Sequence, residues 1–203
     1  MTITSIEPRK KGLSALYIDG EFAFKLDSEV LISNRFDVGK DITDEELHDV
    51  VLQSDNKRCK DKALWLISFR DYSKKELIQK LRKDYSEEAV LSCVSRLEEL
   101  SLINDESYAT RLSHDLVNIK HSSLRGVREK LREKGIDKDL IDEIVSSLDI
   151  DEREQIRIII EKKYRNLSDE KTRRRCVSAL QRMGFSYSDI KSTLNEYANT
   201  EDY

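Results

Sequence analysis

The chain has 203 residues, of which 38% are apolar and 37% charged, with 36 Lys and Arg against 40 Asp and Glu. Globular domains usually carry about a quarter charged residues, so this composition excludes one thick central core and favours thin layers or small stacked units. One proline and six glycines leave few helix breakers and exclude collagen-like and proline-rich classes.

The cysteines and the apolar runs bear on the location of the protein. Cys59, Cys93 and Cys176 are far apart and form no CxxC motif, which argues against a disulfide framework or a zinc finger. The apolar runs fall far short of the roughly 20 residues that span a bilayer, and the N-terminus lacks the pattern of a signal peptide. We therefore expect a cytoplasmic protein with no membrane partner.

The first 40 residues predict a small antiparallel sheet. Asp19-Gly20 separates Leu13–Tyr17 from Glu21–Leu26, and an Asp-Gly pair between such segments is a strong signal for a two-residue hairpin turn. Thr2–Glu7 is predicted as a third strand, ended by Pro8. Because a lone hairpin is marginal in water, we expect this sheet to pack on the first helix.

The rest of the chain predicts helices. Thr43 and Glu46 form a capping box that begins the first long one. The polar residues 54–56 predict an interruption, after which an apolar period resumes at Cys59. Trp65 and Phe69 are four residues apart in this period and are expected in the core.

An internal repeat organises this helical region. Leu81, Leu131 and Leu180 are 50 and 49 residues apart, and each follows an apolar residue four positions earlier. Matching apolar positions also follow in each unit. These are Val90, Val94 and Leu97 in the first, Ile141, Val145 and Leu148 in the second, and Ile190, Leu194 and Tyr197 in the third. A fixed period of this kind is typical of tandem repeats.

Glycines mark the ends of two repeated helices. Gly135 and Gly184 stand where a left-handed residue ends a helix, each followed by an apolar residue that folds back. The first unit has Tyr85 there, so its turn is either strained or differently built. Each unit also contains one helix before the two that carry the matched positions, so each unit is predicted to be a three-helix module.

The predicted fold is mainly α. It has three tandem three-helix repeats in an elongated or curved array, preceded by a small N-terminal antiparallel β-sheet. The expected segments are 1–57 for the sheet and a capping helix, 58–102, 103–150 and 151–203 for the three modules, the last with a short tail.

Basic side chains on the second and third modules are the candidate interaction residues. They are Arg125, Arg128, Lys130, Arg132 and Lys134 in the second, and Arg173, Arg174, Arg175 and Arg182 in the third. The arginines at 125, 128 and 132 form a stripe about 100° round the helix from an apolar stripe, so one face can pack while its neighbour binds carboxylate or phosphate. The alternative is a solvated face paired with Glu129 and Glu133. Consecutive arginines such as 173–175 point in different directions on a helix, which favours solvation there.

Several segments resemble the RecX family of regulatory proteins. The segments that carry the resemblance are Ala63–Arg70, Ser73–Leu77, Leu97–Ala109, Val127–Ile136 and Leu180–Ser186. Together they cover about residues 58 to 197. Asn104 replaces the first acidic residue of the junction motif, and Ser123 stands where a Gly commonly precedes the basic helix.

The resemblance implies a curved molecule that binds the filament of the RecA recombinase. It implies modulation, and more specifically inhibition, of the ATPase and strand-exchange activities in DNA recombination, repair and the SOS response. Single- or double-stranded DNA is implied as a further partner, and we expect a monomer.

Catalytic constellations are missing from the sequence. His114 and His121 are seven residues apart, where a pair of zinc ligands would usually be three to five. Ser113 and Asp115 flank His114, but adjacent residues on a helix face apart and cannot form a relay. We therefore expect no enzyme, no cofactor and no metal. Two other functions stay open: a DNA-binding helical protein without sequence specificity or recombinase dependence, and a repeat scaffold for other proteins.

Overall fold

The structure is a computed structural model that describes residues 1–164, 167 and 169–200, of which 198–200 by their backbone alone. It divides into two compact units, Met1–Ile103 and Asn104–Tyr203. The first unit contains β1 (Ile3–Pro8), β2 (Leu13–Ile18), β3 (Glu21–Asp27), α1 (Ser28–Ser33), α2 (Asp44–Ile67), α3 (Lys74–Leu81) and α4 (Glu87–Glu99). The second contains α5 (Asp105–Asn118), α6 (Leu124–Glu133), α7 (Lys138–Ser147), α8 (Glu152–Lys163), α9 (Glu170–Arg182) and α10 (Tyr187–Thr200).

The predicted N-terminal sheet is confirmed. Its three strands are antiparallel in the order β1-β2-β3. Asp19 and Gly20 both have positive φ, at 50° and 89°, as the two-residue turn requires. The buried side chains of the sheet, such as Leu16 and Leu26, share a core with Val50 of α2, so the sheet packs on the first long helix as expected. The short helix α1 was not predicted.

The helix α2 begins at the predicted capping box and then runs further than expected. The Thr43 hydroxyl accepts a hydrogen bond from the Glu46 N–H at 3.1 Å, and the Glu46 carboxylate accepts from the Thr43 N–H at 2.9 Å. The interruption predicted at residues 54–56 is wrong, because the helix continues through them to Ile67. Ser54 is fully buried, and its hydroxyl accepts a hydrogen bond from the Asp27 N–H at 2.8 Å. The polar side chain therefore joins the helix to the sheet.

Asp27 joins the end of β3 to α1 and α2. Its carboxylate accepts hydrogen bonds from the N–H groups of Glu29 and Val30 at the start of α1, and from the Lys57 ammonium at 2.8 Å. Burial by itself raises the pKa of Asp27, but the hydrogen bonds from Lys57 and from the two N–H groups outweigh it and hold the pKa below its ordinary value. The charged carboxylate therefore stabilises this unit above the unfolded pKa of about 3.9, and the contribution is lost as the pH falls through the lowered value.

Substituting Asp27→Asn is expected to destabilise the chain in a pH-dependent way. The loss in the free energy of unfolding should be about 1–2 kcal/mol near neutral pH, because the hydrogen bond from Lys57 loses its charged acceptor and the start of α1 loses a negative charge, while the Asn side chain still caps the helix. It should shrink toward zero in strong acid, where the wild-type carboxyl is also neutral. Urea unfolding of both proteins across the acid range measures this, and a loss that stays constant with pH would contradict the role given to the charge.

The internal repeat is confirmed. Its three modules are the helix triplets α2–α4, α5–α7 and α8–α10. Leu81, Leu131 and Leu180 are all fully buried. Gly135 and Gly184 have φ of 80° and 90°, and the residues after them donate N–H hydrogen bonds back to the carbonyls of Leu131 and Leu180. The first module reaches the same topology with a differently built turn, in which Tyr85 stays outside the left-handed region and its N–H bonds the Leu81 carbonyl at 3.1 Å.

The second and third modules meet at a pair of glycines within the second unit. Ser123 caps α6 by accepting from the Gly126 N–H at 2.9 Å, and its buried hydroxyl donates to the Met183 carbonyl at 2.8 Å. A Cβ on Gly126 would lie 2.5 Å from the Met183 carbonyl oxygen, and a Cβ on Gly184 would lie 2.5 Å from the Ser123 hydroxyl. Neither position has room for a side chain, so the start of α6 is held directly against the end of α9.

Trp65 and Phe69, which were expected in the core, are exposed instead. Trp65 and Phe69 are 53% and 70% exposed, so the prediction that they are core residues is wrong. Cys59, Ala63 and Leu66 set the buried face of α2. Trp65 lies about 100° round the helix from Leu66, and Phe69 follows the end of the helix at Ile67.

The helices are short or polar throughout. Within the ranges that the structure describes, none combines the length and the apolar content that a membrane crossing needs.

Candidate polyanion-binding surface

The predicted basic residues of the second module lie on α6, and ion pairs occupy most of them. Arg125 bonds Glu129 at 3.1 Å, and Lys130 bonds Glu133 at 2.6 Å. Arg128 reaches across to Asp142 on α7. The pairs Arg125–Glu129 and Lys130–Glu133 are the solvated ion pairs that the alternative interpretation of the sequence predicted. The pair Arg128–Asp142, which joins two helices, is an additional contact.

Two further cations complete the α6 set. Arg132 is exposed, and among the described residues it has no ion-pair partner. Lys134 is half-buried at the end of the helix and takes part in an interaction. The α6 cations are thus largely balanced by neighbouring acids, and a polyanion would have to displace these acids to bind here.

The predicted arginines of the third module lie on α9, where the core sets their directions. Cys176 and Leu180 are fully buried and fix the inner face of the helix. Arg173 turns toward α10, where its guanidinium donates to the Asn195 side chain at 3.4 Å. Arg174 and Arg175 point away from the core with Arg182, which lies two turns further along the helix.

Three of these arginines share one groove beside the end of α8. The groove has a volume of about 920 Å³ and is lined by Lys163, Tyr164, Thr172, Arg174, Arg175, Ser178, Ala179, Gln181 and Arg182. We call it the α8–α9 groove. Four of these nine residues are cationic and none is acidic. The sequence thus placed Arg174, Arg175 and Arg182 in the candidate set, and the structure gathers them on one surface while Arg173 faces elsewhere.

The groove cations are less neutralised than those of α6. Arg174 pairs with Glu170 one turn earlier on the exposed side of the helix, and Arg182 donates to the Ser178 carbonyl at 3.3 Å. Arg175 and Lys163 have no ion pair within the described part of the chain. Exposed pairs such as Arg174–Glu170 contribute about 0.2–1 kcal/mol and are easily exchanged for a ligand.

Sequence reasoning missed the lysines at the end of α8. Lys163 lines both the α8–α9 groove and a neighbouring pocket of about 470 Å³, to which Lys120 and Lys162 also contribute. Lys162 donates to His121 Nε2 at 2.9 Å, and His121 Nδ1 pairs with the Gln155 amide oxygen at 2.8 Å. The adjacent lysines in the last turn of α8 were a visible signal, but their approach to α9 depends on tertiary packing.

The groove offers chemistry for binding anions. Guanidinium forks form bidentate hydrogen bonds with phosphate and carboxylate oxygens. Several forks along one open groove suit a ligand with repeated negative charges, such as a nucleic-acid backbone or an acidic protein surface.

The cysteines have a structural environment. All three thiols are free and buried. Burial raises the pKa of Cys176 to about 11, and a hydrogen bond with Cys93 together with burial raises that of Cys59. The protonated thiols of Cys59 and Cys176 are therefore poor nucleophiles and poor metal ligands.

Comparisons with known proteins agree with this architecture. Three family models match in chain order: the first three-helix domain of RecX over residues 59–97, the second over 104–144 and the third over 151–194. The regulatory protein RecX of Caldanaerobacter subterraneus is 32% identical over 96% of this chain and 99% of its own length.

The chain belongs to the RecX family. The regulatory protein RecX of Bacillus subtilis is 30% identical over 98% of this chain and 79% of its own. That of Clostridioides difficile is 29% identical over 99% and 98%. A crystal structure of regulatory protein RecX covers 96% of the chain with a TM-score of 0.62 at 24% identity, and so supports the fold. RecX from Lactobacillus salivarius covers 70% with a TM-score of 0.57 at 26% identity.

The two departures from the RecX pattern act as helix caps. Asn104 accepts a hydrogen bond from the Ser107 N–H at 2.9 Å at the start of α5, and Ser123 caps α6. Asn104 and Ser123 therefore preserve the helix starts at which the motif residues of the family stand.

Proposed function

We propose that this RecX-family chain is a cytoplasmic regulator that binds a RecA-type recombinase filament and inhibits its ATPase and strand-exchange activities. It acts as a monomer and by binding rather than by chemistry. The observation that carries the proposal is the match of three RecX domains in order, supported by relatives named as regulatory proteins over nearly the whole chain.

The α8–α9 groove gives the proposed regulator a means of attachment. A recombinase filament presents carboxylates of the protein and phosphates of the bound DNA, and the groove cations fit both. We place the main electrostatic contact on Lys163, Arg174, Arg175 and Arg182 because, among the residues that the structure describes, no acidic side chain lines the groove beside them. The α6 cations form a secondary surface because acids already pair with most of them.

The proposal is tested by adding the purified full chain to RecA that hydrolyses ATP on single-stranded DNA. We expect the hydrolysis rate and the yield of strand exchange to fall as the chain is added at fixed salt. DNA binding by the chain alone, measured at the same salt, is the control. Unchanged rates at concentrations well above those of the recombinase would contradict a regulatory role in this system.

DNA binding without recombinase dependence is the second candidate, and the cation-lined groove favours it. In that case the chain would bind naked DNA, and the logarithm of its affinity would fall steeply with the logarithm of the salt concentration. Any effect on ATP hydrolysis would then follow only the fraction of DNA covered by the chain. Under the first proposal, inhibition occurs at concentrations where naked DNA stays unbound.

A further inference from the structure

Two of the three cysteines meet inside the first module, although 34 residues separate them in sequence. Cys59 lies on α2 and Cys93 on α4, and both belong to the buried core that these helices share. Their thiols are hydrogen-bonded to each other. Cys176 lies in the core of the third module instead. The chain therefore has one pair of adjacent thiols and one separate thiol.

The packing of α2 against α4 brings the two cysteines within the reach of a covalent bond. Each helix contributes an alanine one turn from its cysteine, Ala63 on α2 and Ala89 on α4, and both alanines are buried in the shared core. Packed helix axes are about 8–10 Å apart and carry their Cα atoms about 2.3 Å from the axis, so facing Cα atoms approach to about 3.5–5.5 Å. A disulfide needs a Cα separation of about 4.4–6.8 Å. The seam of small residues therefore suits a disulfide between the helices.

A polar contact fixes the start of α4 against α2 near the thiol pair. The Ser86 N–H and hydroxyl donate to the Asp55 carboxylate at 3.1 and 2.6 Å. Asp55 lies one turn before Cys59 on α2, and Ser86 lies about two turns before Cys93 at the start of α4. The pair is therefore held by two helices whose register is fixed close to it.

The two thiols differ in exposure and in acidity. Cys59 is fully buried, whereas Cys93 is 8% exposed and lines a groove of about 270 Å³. The hydrogen bond from the Cys59 thiol and the nearby Lys60 ammonium outweigh burial and lower the pKa of Cys93. The hydrogen bond with Cys93 and burial raise the pKa of Cys59. Cys93 is therefore the thiol that ionises, and Cys59 stays protonated beside it.

The groove lets a small oxidant reach Cys93. Lys60, Arg96 and four leucines are among the residues that line it. A water molecule takes up about 30 Å³ in the liquid, so a groove of this volume has room for a molecule of the size of hydrogen peroxide. The positive charge of Lys60 favours the Cys93 thiolate, and it favours equally an anion that leaves during attack by that thiolate.

We infer that Cys59 and Cys93 form a redox-reactive dithiol, which hydroperoxides oxidise to a disulfide between α2 and α4. The Cys93 thiolate attacks one oxygen of hydrogen peroxide, so that an S–O bond forms, the O–O bond breaks and the released hydroxide takes up a proton to become water. The Cys59 thiol then attacks the sulfenic sulfur of Cys93. The S–S bond forms, the S–O bond breaks, and the hydroxide leaves with the Cys59 proton as a second water. The two sulfurs together lose two electrons, which the peroxide gains.

The proposed disulfide is reversible. A dithiol reductant returns it to two thiols through two steps of thiol–disulfide exchange. Disulfides in reducing compartments are usually transient and either catalytic or redox-sensing, and redox-sensing cysteines combine a lowered pKa with a neighbouring cysteine that resolves the sulfenic acid. The inference does not rest on the proposed function, because it concerns the chemistry of the first module alone.

Oxidation of the folded full chain tests the inference. The reduced protein is treated with a small excess of hydrogen peroxide in native buffer, then alkylated in denaturant and analysed by mass spectrometry. We expect two of the three thiols to be lost, with Cys59 and Cys93 joined in one linked peptide after proteolysis. Cys176 should be alkylated in full. Dithiothreitol should restore all three thiols.

Three alanine variants separate the roles of the cysteines. Cys59→Ala should stop disulfide formation and let Cys93 accumulate as a sulfenic acid that dimedone traps. Cys93→Ala should slow the loss of the two remaining thiols about tenfold or more, because burial keeps both protonated. Cys176→Ala is the matched control, and it should form the disulfide at the rate of the wild type.

The wild-type chain can overturn the inference whichever variants fold. Three intact thiols after exposure to peroxide, equal rates of loss for all three, or a disulfide that includes Cys176 would show that the pair has no special reactivity. Conversion of Cys93 to a sulfinic acid without a disulfide would show that Cys59 lies out of reach. A Cys59–Cys93 disulfide that forms only in urea would also overturn the inference, since the native packing would then hold the sulfurs apart.

Discussion

Reversing the charge of Arg174, Arg175 and Arg182 together is expected to abolish inhibition of DNA-dependent ATP hydrolysis by the chain. The three guanidinium groups share the α8–α9 groove with Lys163, and no described residue that lines the groove is acidic, so the triple Glu variant turns an attractive surface into a repulsive one. If each arginine contacts a phosphate, loss of the three contacts should weaken polyanion binding about 100-fold or more and lower the salt slope by about three. Titration of ATP hydrolysis and of DNA binding at several salt concentrations measures both effects.

A matched triple variant separates the groove from the overall charge. The control carries Lys10→Glu, Lys11→Glu and Lys25→Glu, which change the net charge by the same amount at exposed positions in and beside the N-terminal sheet. It should inhibit nearly as well as the wild type. The corresponding reversal of Arg125, Arg128 and Arg132 on α6 should have an intermediate effect, because neighbouring acids already offset two of these charges. Equal inhibition by the groove variant and the wild type, with unchanged far-UV circular dichroism, would remove the groove from the account.

Substituting Gly184→Ala is expected to destabilise the second unit by about 2–5 kcal/mol, the sum of left-handed strain and overpacking. The residue has a φ of 90°, and an added Cβ would lie 2.5 Å from the Ser123 hydroxyl and 2.8 Å from the Gly126 nitrogen. Gly126→Ala should also be costly, because its Cβ would meet the Met183 backbone carbonyl at 2.5 Å. Urea unfolding followed by circular dichroism measures these losses.

Gly39→Ala is the matched control for the backbone conformation. Gly39 has a φ of 91° and open space around the position of an added Cβ, so only the left-handed strain of about 1–2 kcal/mol applies. The difference between the two variants isolates the close contact between the modules. If Gly184→Ala lowers the free energy of unfolding by no more than Gly39→Ala does, the glycine contact does not hold the second and third modules together.

The repeat was predictable because it rests on local chemistry. Leu81, Leu131 and Leu180 recur at a nearly fixed interval with apolar partners at helical spacing, and burial follows from that spacing alone. Gly135 and Gly184 mark helix ends because the left-handed conformation there favours glycine. The Asp19-Gly20 turn follows from the same preference.

Features that depend on contacts distant in sequence escaped the prediction. Ser54 looked like a helix interruption, because nothing local reveals that its hydroxyl meets the Asp27 N–H across 27 residues. Trp65 and Phe69 were expected in the core by their apolar character, although the residues that set the buried face lie elsewhere on the helix.

The candidate groove was predicted only in part for a similar reason. A run of arginines at 173–175 gives no direction for each side chain until Cys176 and Leu180 fix the inner face of α9. Lys163 joins the site from α8, and no spacing rule relates it to Arg175. Ion pairs such as Arg128–Asp142 likewise depend on the packing of two helices, so the balance between the α6 surface and the groove required the structure.

Co-sedimentation with RecA filaments is the sharpest test of recombinase-dependent binding by this chain. Filaments are assembled on single-stranded DNA with a non-hydrolysable ATP analogue and pelleted with the full chain, alongside the same DNA without recombinase at the same salt concentration. We expect the chain to pellet with the filament at concentrations where little of it pellets with DNA alone. Equal amounts of the chain in the two pellets would contradict recombinase-dependent binding.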